Sequence, residues 1–361
     1  MVDVQPFRAV RYSGAAGSLS DLVAPPYDAI GEAERALLAA KSPFNVVHLT
    51  LPDSAEAAGS LYRTWREERI LVQEETPAAW LLVEDYVGPD GVARQRHGIV
   101  VSLAAEPYGA GAILPHERTH PGIREERLVL LRATRVQLEP IFLLADRALP
   151  TQVPETEPDL RANGARLWRV PDLDPDALSG KDELLIADGH HRYESAIAFG
   201  AEAGPGAARI MGLLVSTEDP GLQVFPTHRT FAGRPDLGEL DEGEPCGSLD
   251  EALARLAAET YARSAAVAYR PGRSELVQGD EGELDVELVD RHGLDGIGYT
   301  PVAADAIGAV ERGEADVAYL LRPPRISDVY AVARRGERMP PKSTYFFPKP
   351  LSGLLFHPVE P

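Results

Sequence analysis

Apolar and polar positions alternate in short blocks along the chain, and the block lengths predict a mixed succession of helices and strands. Glu32 to Lys41 is Ala/Leu-rich and reads as a short helix, followed by a short strand from Val46 to Leu51. Ser54 to Leu71 carries Ala57, Leu61, Trp65 and Ile70 near one helical face. Two β runs, Ala79 to Tyr86 and Gln95 to Leu103, flank Gly88-Pro-Asp-Gly91, a hairpin signal. Pro121 opens a helix to Arg135, and Pro140 to Leu144 and Ala165 to Val170 read as strands.

The clearest unit follows. Glu183 to Ala187 is a buried-strand run, succeeded at once by Asp188-Gly189-His190-His191-Arg192 and a helix to about Ala203. Tyr193, Ala196, Ile197 and Gly200 follow the i, i+3, i+4, i+7 spacing of a core-facing stripe. Ala207 to Val215 is another strand. Gly233 to Asp250, rich in Gly, Pro, Asp and Glu, predicts a linker, and beyond it a second α/β alternation runs to Leu321. The expected division is an α/β core over 1–235, a second α/β unit over 236–330, and a C-terminal arm over 331–361 that returns to the core.

Composition narrows the chemistry. The 361 residues carry 36 basic and 56 acidic side chains, a net charge of −20. Such a surface repels phosphate backbones and anionic lipid, so nucleic-acid and membrane partners are not expected. One cysteine, Cys246, can form neither an intrachain disulfide nor a thiolate metal cage. With no secretory signal or membrane-length apolar stretch in view, a soluble cytoplasmic protein is expected. Lysine is scarce: Lys41, Lys181, Lys342 and Lys349 stand against 32 arginines, and two of the four fall in the last twenty residues.

The strand–Asp188–Gly189–His190–His191–Arg192–helix junction is the strongest chemical signal. Amides at a helix start, reinforced by the macrodipole, form an anion site. Gly189 permits close backbone approach, Arg192 offers a planar fork, and Asp188 could hold Mg²⁺ or accept a proton. The plainer alternative is a helix cap with two surface histidines. His116-Glu117-Arg118-Thr119-His120 spells a zinc-protease signature, but Pro121 breaks any helix through it, so Glu117 reads better as a loop carboxylate facing a phosphate. Lys342-Ser343-Thr344 suits polyphosphate contact, and Lys349 stands between two prolines nearby. Arg229, after His228, is a further candidate for the same site. Pro26-Tyr27-Asp28 is either a pocket wall or a proline turn.

The run DGHHRYESA resembles the nucleotide-phosphate box of the ParB/sulfiredoxin-like fold, and it is similar to that of archaeal-type free serine kinases. His190 stands where sulfiredoxins carry their catalytic cysteine, so sulfinic-acid reduction is not expected. Across the chain, APPYDAI (from Ala24), NVVHLTLP (from Asn45), ILPHERT (from Ile113), IADGHHRYESA (from Ile186), PTHR (from Pro226) and MPPKSTYFFPKPLSGL (from Met339) resemble the domain-of-unknown-function 1015 family. The resemblance implies a ParB/sulfiredoxin-like α/β core with insertions. It also implies a nucleotide-dependent phosphotransferase acting on a small hydroxylated metabolite, with free serine the favoured acceptor and ATP or ADP, with Mg²⁺, as cofactors. Gly189, His190, His191, Arg192, Arg229, Lys342, Ser343 and Thr344 are the expected phosphate ligands; Glu117, Asp188 and His191 are the expected catalytic groups. A non-catalytic nucleotide-binding regulatory module is the alternative, and a zinc-dependent hydrolase or a ParB-like DNA binder a weaker one.

Overall fold

In the computed structural model, which describes residues 2–178, 183–237 and 243–359, the chain is mixed α/β with several sheets and helical insertions. It divides into two compact units: Met1–Tyr86, Ala93–Leu222 and Pro348–Pro361 form the first, and Val87–Val92 with Gln223–Phe347 the second. Among the described residues, no helix is long and apolar enough to cross a membrane.

The first unit is built on a nine-stranded mixed sheet. Its centre is Ile141–Ala145, flanked on one side by antiparallel Leu184–Asp188 and on the other by parallel Arg209–Ser216. All five residues of Ile141–Ala145 are fully buried, because the sheet is covered on both faces there; that is why the run is continuously apolar rather than alternating. Helices Pro121–Thr134 and His190–Ala203 pack on each other. Helix Ala55–Glu67 lies so close to Pro121–Thr134 that a Cβ on Gly59 would meet the Ala133 carbonyl oxygen at 2.4 Å.

Val46 to Leu51 is not a strand; it is a single helical turn, Val47–Thr50. The β-branched run favours a strand locally, but the Asn45 side chain decides the outcome. Its Oδ1 accepts from the Val47 amide at 2.9 Å, and its Nδ2 donates to the Asp21 carbonyl at 2.8 Å. Asn45 precedes the Val46 N-cap, and its buried side chain closes a local turn that no apolar periodicity reveals.

The second unit is an antiparallel six-stranded sheet in the order Glu244–Cys246, Arg273–Glu281, Arg263–Arg270, Val317–Leu321, His228–Phe231, Ile297–Thr300. Alternate residues face opposite ways. Val267 and Leu320 pack with helices Leu249–Ala258 and Ala303–Glu311, whereas Ala266, Ala268 and Leu321 pack with Val286 and Val289.

The boundaries therefore differ from the expected 235/236 and 330/331. The Gly/Pro/acidic segment from Gly233 to Asp250 is not an interdomain linker where it is described: Glu244–Cys246 is an edge strand of the second sheet, and 238–242 lies outside the described residues. His228–Phe231 and helix Ile326–Arg334 belong to the second unit as well. Turn-rich composition marks a chain that leaves one element, not one that leaves a domain.

Only the last stretch returns to the first unit. The Arg96 guanidinium, itself buried against Glu84, donates to the Pro348 carbonyl at 2.6 Å. Ser352 and Ala24 exchange backbone hydrogen bonds, as do Phe356 and Val10. His357 pairs with Gln137 and sits 2.8 Å from the buried Ser102 hydroxyl, which also accepts from Arg209 Nε at 2.8 Å. With one proton and two lone pairs, the Ser102 hydroxyl can accept from Arg209 and donate to Nε2 of a neutral His357 ring.

Burial, with Arg209 nearby, pushes the His357 ring down to about 3. The unfolded chain binds this proton near the ordinary histidine value of 6.5. Stability from keeping the ring neutral is thus full above about pH 6.5 and is lost as pH falls toward 3. His357→Gln keeps an acceptor for Ser102 but cannot titrate. Urea unfolding between pH 7 and pH 4 is expected to show a shallower loss of stability in the variant than in the wild type; equal slopes would refute this.

Candidate functional site

Strand Leu184–Asp188 ends at the junction, and its pairing with Ile141–Ala145 shifts register between Ile186 and Asp188. This bulge re-aims the last residue. Gly189 then adopts φ 99° and ψ 25°, a left-handed conformation that turns the chain directly into helix His190–Ala203. A Cβ at Gly189 would also lie 2.6 Å from Ile141 Cγ2, so both dihedral and space require glycine. The first hydrogen bond closing the helix runs from the Tyr193 amide to the Gly189 carbonyl. The amides of this first turn therefore have no acceptor within the helix itself.

Behind this turn lies a chain of alternating charge. Arg192 Nη2 donates to Asp188 Oδ2 at 2.7 Å, Lys349 Nζ to Asp188 Oδ1 at 2.9 Å, and Lys349 Nζ to Asp28 Oδ2 at 2.5 Å. Arg192 Nη1 donates to the Pro140 carbonyl at 2.6 Å. Burial alone would push the Asp188 carboxyl upward, but Lys349 and Arg192 outweigh it and hold the group below its ordinary value. Lys349 is likewise raised: burial works against its charge, and Asp188 and Asp28 prevail. One step away, Glu139 Oε1 accepts from the Tyr27 amide at 3.1 Å and the Ser352 hydroxyl at 2.5 Å. The Arg127 guanidinium covers the Tyr27 ring at 4.1 Å.

Four histidines meet at the same place. His116, fully buried, has Nδ1 2.7 Å from the Ile186 carbonyl, so Nδ1 carries the proton. The His116 amide points to His190 Nε2 at 3.3 Å, and the His120 amide to His191 Nε2 at 2.8 Å. An amide needs an acceptor, which puts the proton of each ring on Nδ1. Burial, then the neighbouring His120, lowers the His191 pKa. His190 Nδ1 faces Glu117 Oε2 at 3.9 Å, and the Glu117 side chain is 37% exposed.

Glu117, Asp188, Gly189, His190, His191 and Arg192 thus converge in the first unit. Arg229, Lys342, Ser343 and Thr344 lie in the second. There Arg229 is fully buried; it donates to the Thr227 carbonyl, to the Lys342 carbonyl at 3.2 Å, and to Asp290 at 3.3 Å. Ser343 is buried with its hydroxyl donating to the Pro340 carbonyl at 2.6 Å, and Lys342 is exposed with φ 55°. The lysine that reaches Asp188 is Lys349. The scarcity of lysine pointed to this segment, and the adjacent hydroxyls drew attention to Lys342 instead. Asp28, in the Pro26-Tyr27-Asp28 wall, is the other member that spacing alone could not place.

Two expected roles change. Arg192 directs its two terminal nitrogens to Pro140 and Asp188, so here it braces the junction. Asp188 does not fit a magnesium ion, since both oxygens already hold cationic donors, and no group of three or more His, Cys, Asp or Glu side chains suited to a metal exists among the described residues. His116-Glu117-Arg118-Thr119-His120 is not helical, so the one-face placement of two histidines that a zinc protease needs is not there.

Residues 4–290 match the model of a family described as a protein of unknown function (DUF1015), and the chain belongs to that family. No curated protein matches it. Among solved structures it is similar to a conserved hypothetical protein from Pyrococcus furiosus, with 19% identity, 65% of this chain and 87% of that chain covered, and a TM-score of 0.37. It is similar also to a free serine kinase in complex with AMP, with 16% identity, 67% and 88% covered, and a TM-score of 0.41. A third is SbnI with a C-terminal truncation from Staphylococcus aureus, with 15% identity, 65% and 79% covered, and a TM-score of 0.41.

Gly189→Ala should destabilise the protein by about 2–4 kcal/mol, combining left-handed strain with collision against Ile141. Gly204→Ala is the control: its φ is 103°, but an added Cβ meets nothing within 4 Å, so only the dihedral cost applies. Chemical denaturation checks both, and an equal or larger loss at Gly204 would contradict the packing argument.

Proposed function

We propose that this protein is a nucleotide-dependent phosphotransferase, with ATP or ADP seated phosphate-first on the helix start behind Gly189. The observation that carries the reading is the helix start at Gly189 set beside an Asp188 whose two oxygens are held by Arg192 and Lys349. A bare carboxylate at the strand end would repel a phosphate. With Lys349 and Arg192 on its two oxygens, the incoming anion meets amide protons and a helix dipole instead. Neutral His190 and His191, each with Nδ1–H, add donors without adding charge.

Glu117 is the proposed general base. Its carboxylate is partly exposed beside His190, at the edge of the amide cluster. In the proposed step the acceptor hydroxyl loses its proton to Glu117 while its oxygen attacks the terminal phosphorus. The bond from that phosphorus to the bridging oxygen breaks, and the shortened nucleotide leaves with the electron pair. Positioning and electrostatics do most of the work in such transfers, and a preorganised helix start supplies both. Because Asp188 does not fit magnesium, no step is assigned to a protein-held metal. The acceptor is proposed to be a small hydroxylated metabolite, with free serine favoured by the resemblance of the Asp188–Arg192 box to that of free serine kinases. The regulatory-module reading uses the same amides without Glu117.

Phosphorus NMR of the full chain with ATP or ADP and a panel of small alcohols including serine separates the two readings. Turnover with at least one alcohol is expected, and Glu117→Gln should lower it about 10²–10⁴-fold while leaving nucleotide affinity nearly unchanged. Nucleotide binding without turnover against the whole panel would favour the regulatory module. One equivalent of tightly held zinc in the purified protein would contradict both.

A further inference from the structure

The first unit carries an open groove of about 680 Å³, formed wholly within that unit. It lies between helix Glu32–Lys41, the segment 51–55 and helix Pro121–Thr134. Gly122, Glu125, Glu126, Val129 and Leu130 line it at the i, i+3, i+4, i+7, i+8 spacing of one helical face. The floor is apolar: Leu51, Pro52 and Ala55 are half-buried, Leu130 is buried, and Val129 is left 36% exposed. Two arginines fix one wall. Arg35 Nε donates to the Leu51 carbonyl at 2.7 Å, and Arg127 Nη1 donates to the Thr50 carbonyl at 2.9 Å. A volume of this size with few polar groups suits a small organic molecule.

The lining holds two cations and three carboxylates: Arg35 and Arg127 against Asp53, Glu125 and Glu126. Arg35 Nη2 bonds Asp53 at 2.7 Å, and that pair cancels. The Arg127 guanidinium lies over the Tyr27 ring at 4.1 Å and is held by the Thr50 carbonyl. Glu125 shares Arg132, which lies outside the groove, with Glu202; the two contacts are 3.0 and 2.6 Å. Including that arginine and that glutamate leaves one negative charge in excess. Glu126, exposed on the lining face of its helix, forms no ion pair among the described residues. A surplus carboxylate beside an apolar floor complements an apolar body that carries one positive charge.

We propose that this groove binds a small organic cation, its apolar body on Leu51, Ala55 and Val129 and its ammonium group on Glu126. The long-range field acts in the same direction, since a chain of net charge −20 draws cations toward its surface. The proposal does not rest on the reading of the Gly189 junction.

The test uses benzylammonium as the probe on the full chain, by calorimetry and saturation-transfer NMR at neutral pH, with benzyl alcohol as the uncharged comparison. Saturable binding is expected. Loss of the charged contact should weaken it about three- to tenfold, both in Glu126→Gln and on replacing the probe by benzyl alcohol. Asp305→Asn, which alters an exposed carboxylate of the second unit, should leave the affinity unchanged, and so separates the groove from general attraction to an acidic surface. Val129→Trp should fill the groove and abolish binding while circular dichroism stays unchanged. No saturable binding, equal affinity for benzyl alcohol, unchanged affinity in Glu126→Gln or Val129→Trp, or an equal loss in Asp305→Asn would overturn the proposal.

Discussion

Lys349 ties together three segments that are far apart in the chain: the Pro26–Asp28 turn, the Asp188 strand end and the C-terminal arm. Its ammonium is the only described group that bonds both Asp28 and Asp188, and Arg192 completes the row from the other side. A mostly buried Asp188 is tolerable only because two cations face it. Taking either away leaves a carboxylate in low dielectric with half its compensation, which is far costlier than the pair is stabilising. The arm that carries Lys349 is held by independent means: the Arg96–Pro348 bond, the Ser352 and Phe356 bridges, and the His357–Ser102 contact. The charge row thus rests on backbone pairing rather than on a flexible side chain finding its partner.

This arrangement is what reconciles the proposed anion site with an acidic protein. The net charge of −20 describes the surface as a whole, whereas recognition depends on the few ångströms around the helix start. There Asp188 and Asp28 are matched by cations, and the helix start adds the positive end of its dipole.

Much of the first unit was legible because its local signals agree. The apolar run before Asp188, the glycine after it and the core stripe of Tyr193, Ala196 and Gly200 all point to one strand–turn–helix, and the structure has it. Three kinds of information were hidden. Asn45 overrides a strand-forming run through side-chain bonds to residues more than twenty positions away. The Gly/Pro/acidic segment near 233–250 looks like a linker because edge strands and turns share its composition. And the choice between Lys342 and Lys349 depends on which unit each segment joins, which spacing does not encode: the chain passes from the second unit to the first between Phe347 and Pro348. Arg192 shows a subtler limit, since residue type announces a fork but not the direction in which it points.

The central claim is that the amides behind Gly189 receive a nucleotide phosphate. Amide-resolved NMR of the isotopically labelled full chain, titrated with ADP, tests it most directly. The account predicts saturable shifts that are largest at the amides of His190, His191 and Arg192, reproduced in part by inorganic phosphate and absent with adenosine. Shifts that bypass these three amides, or that adenosine reproduces in full, would contradict it.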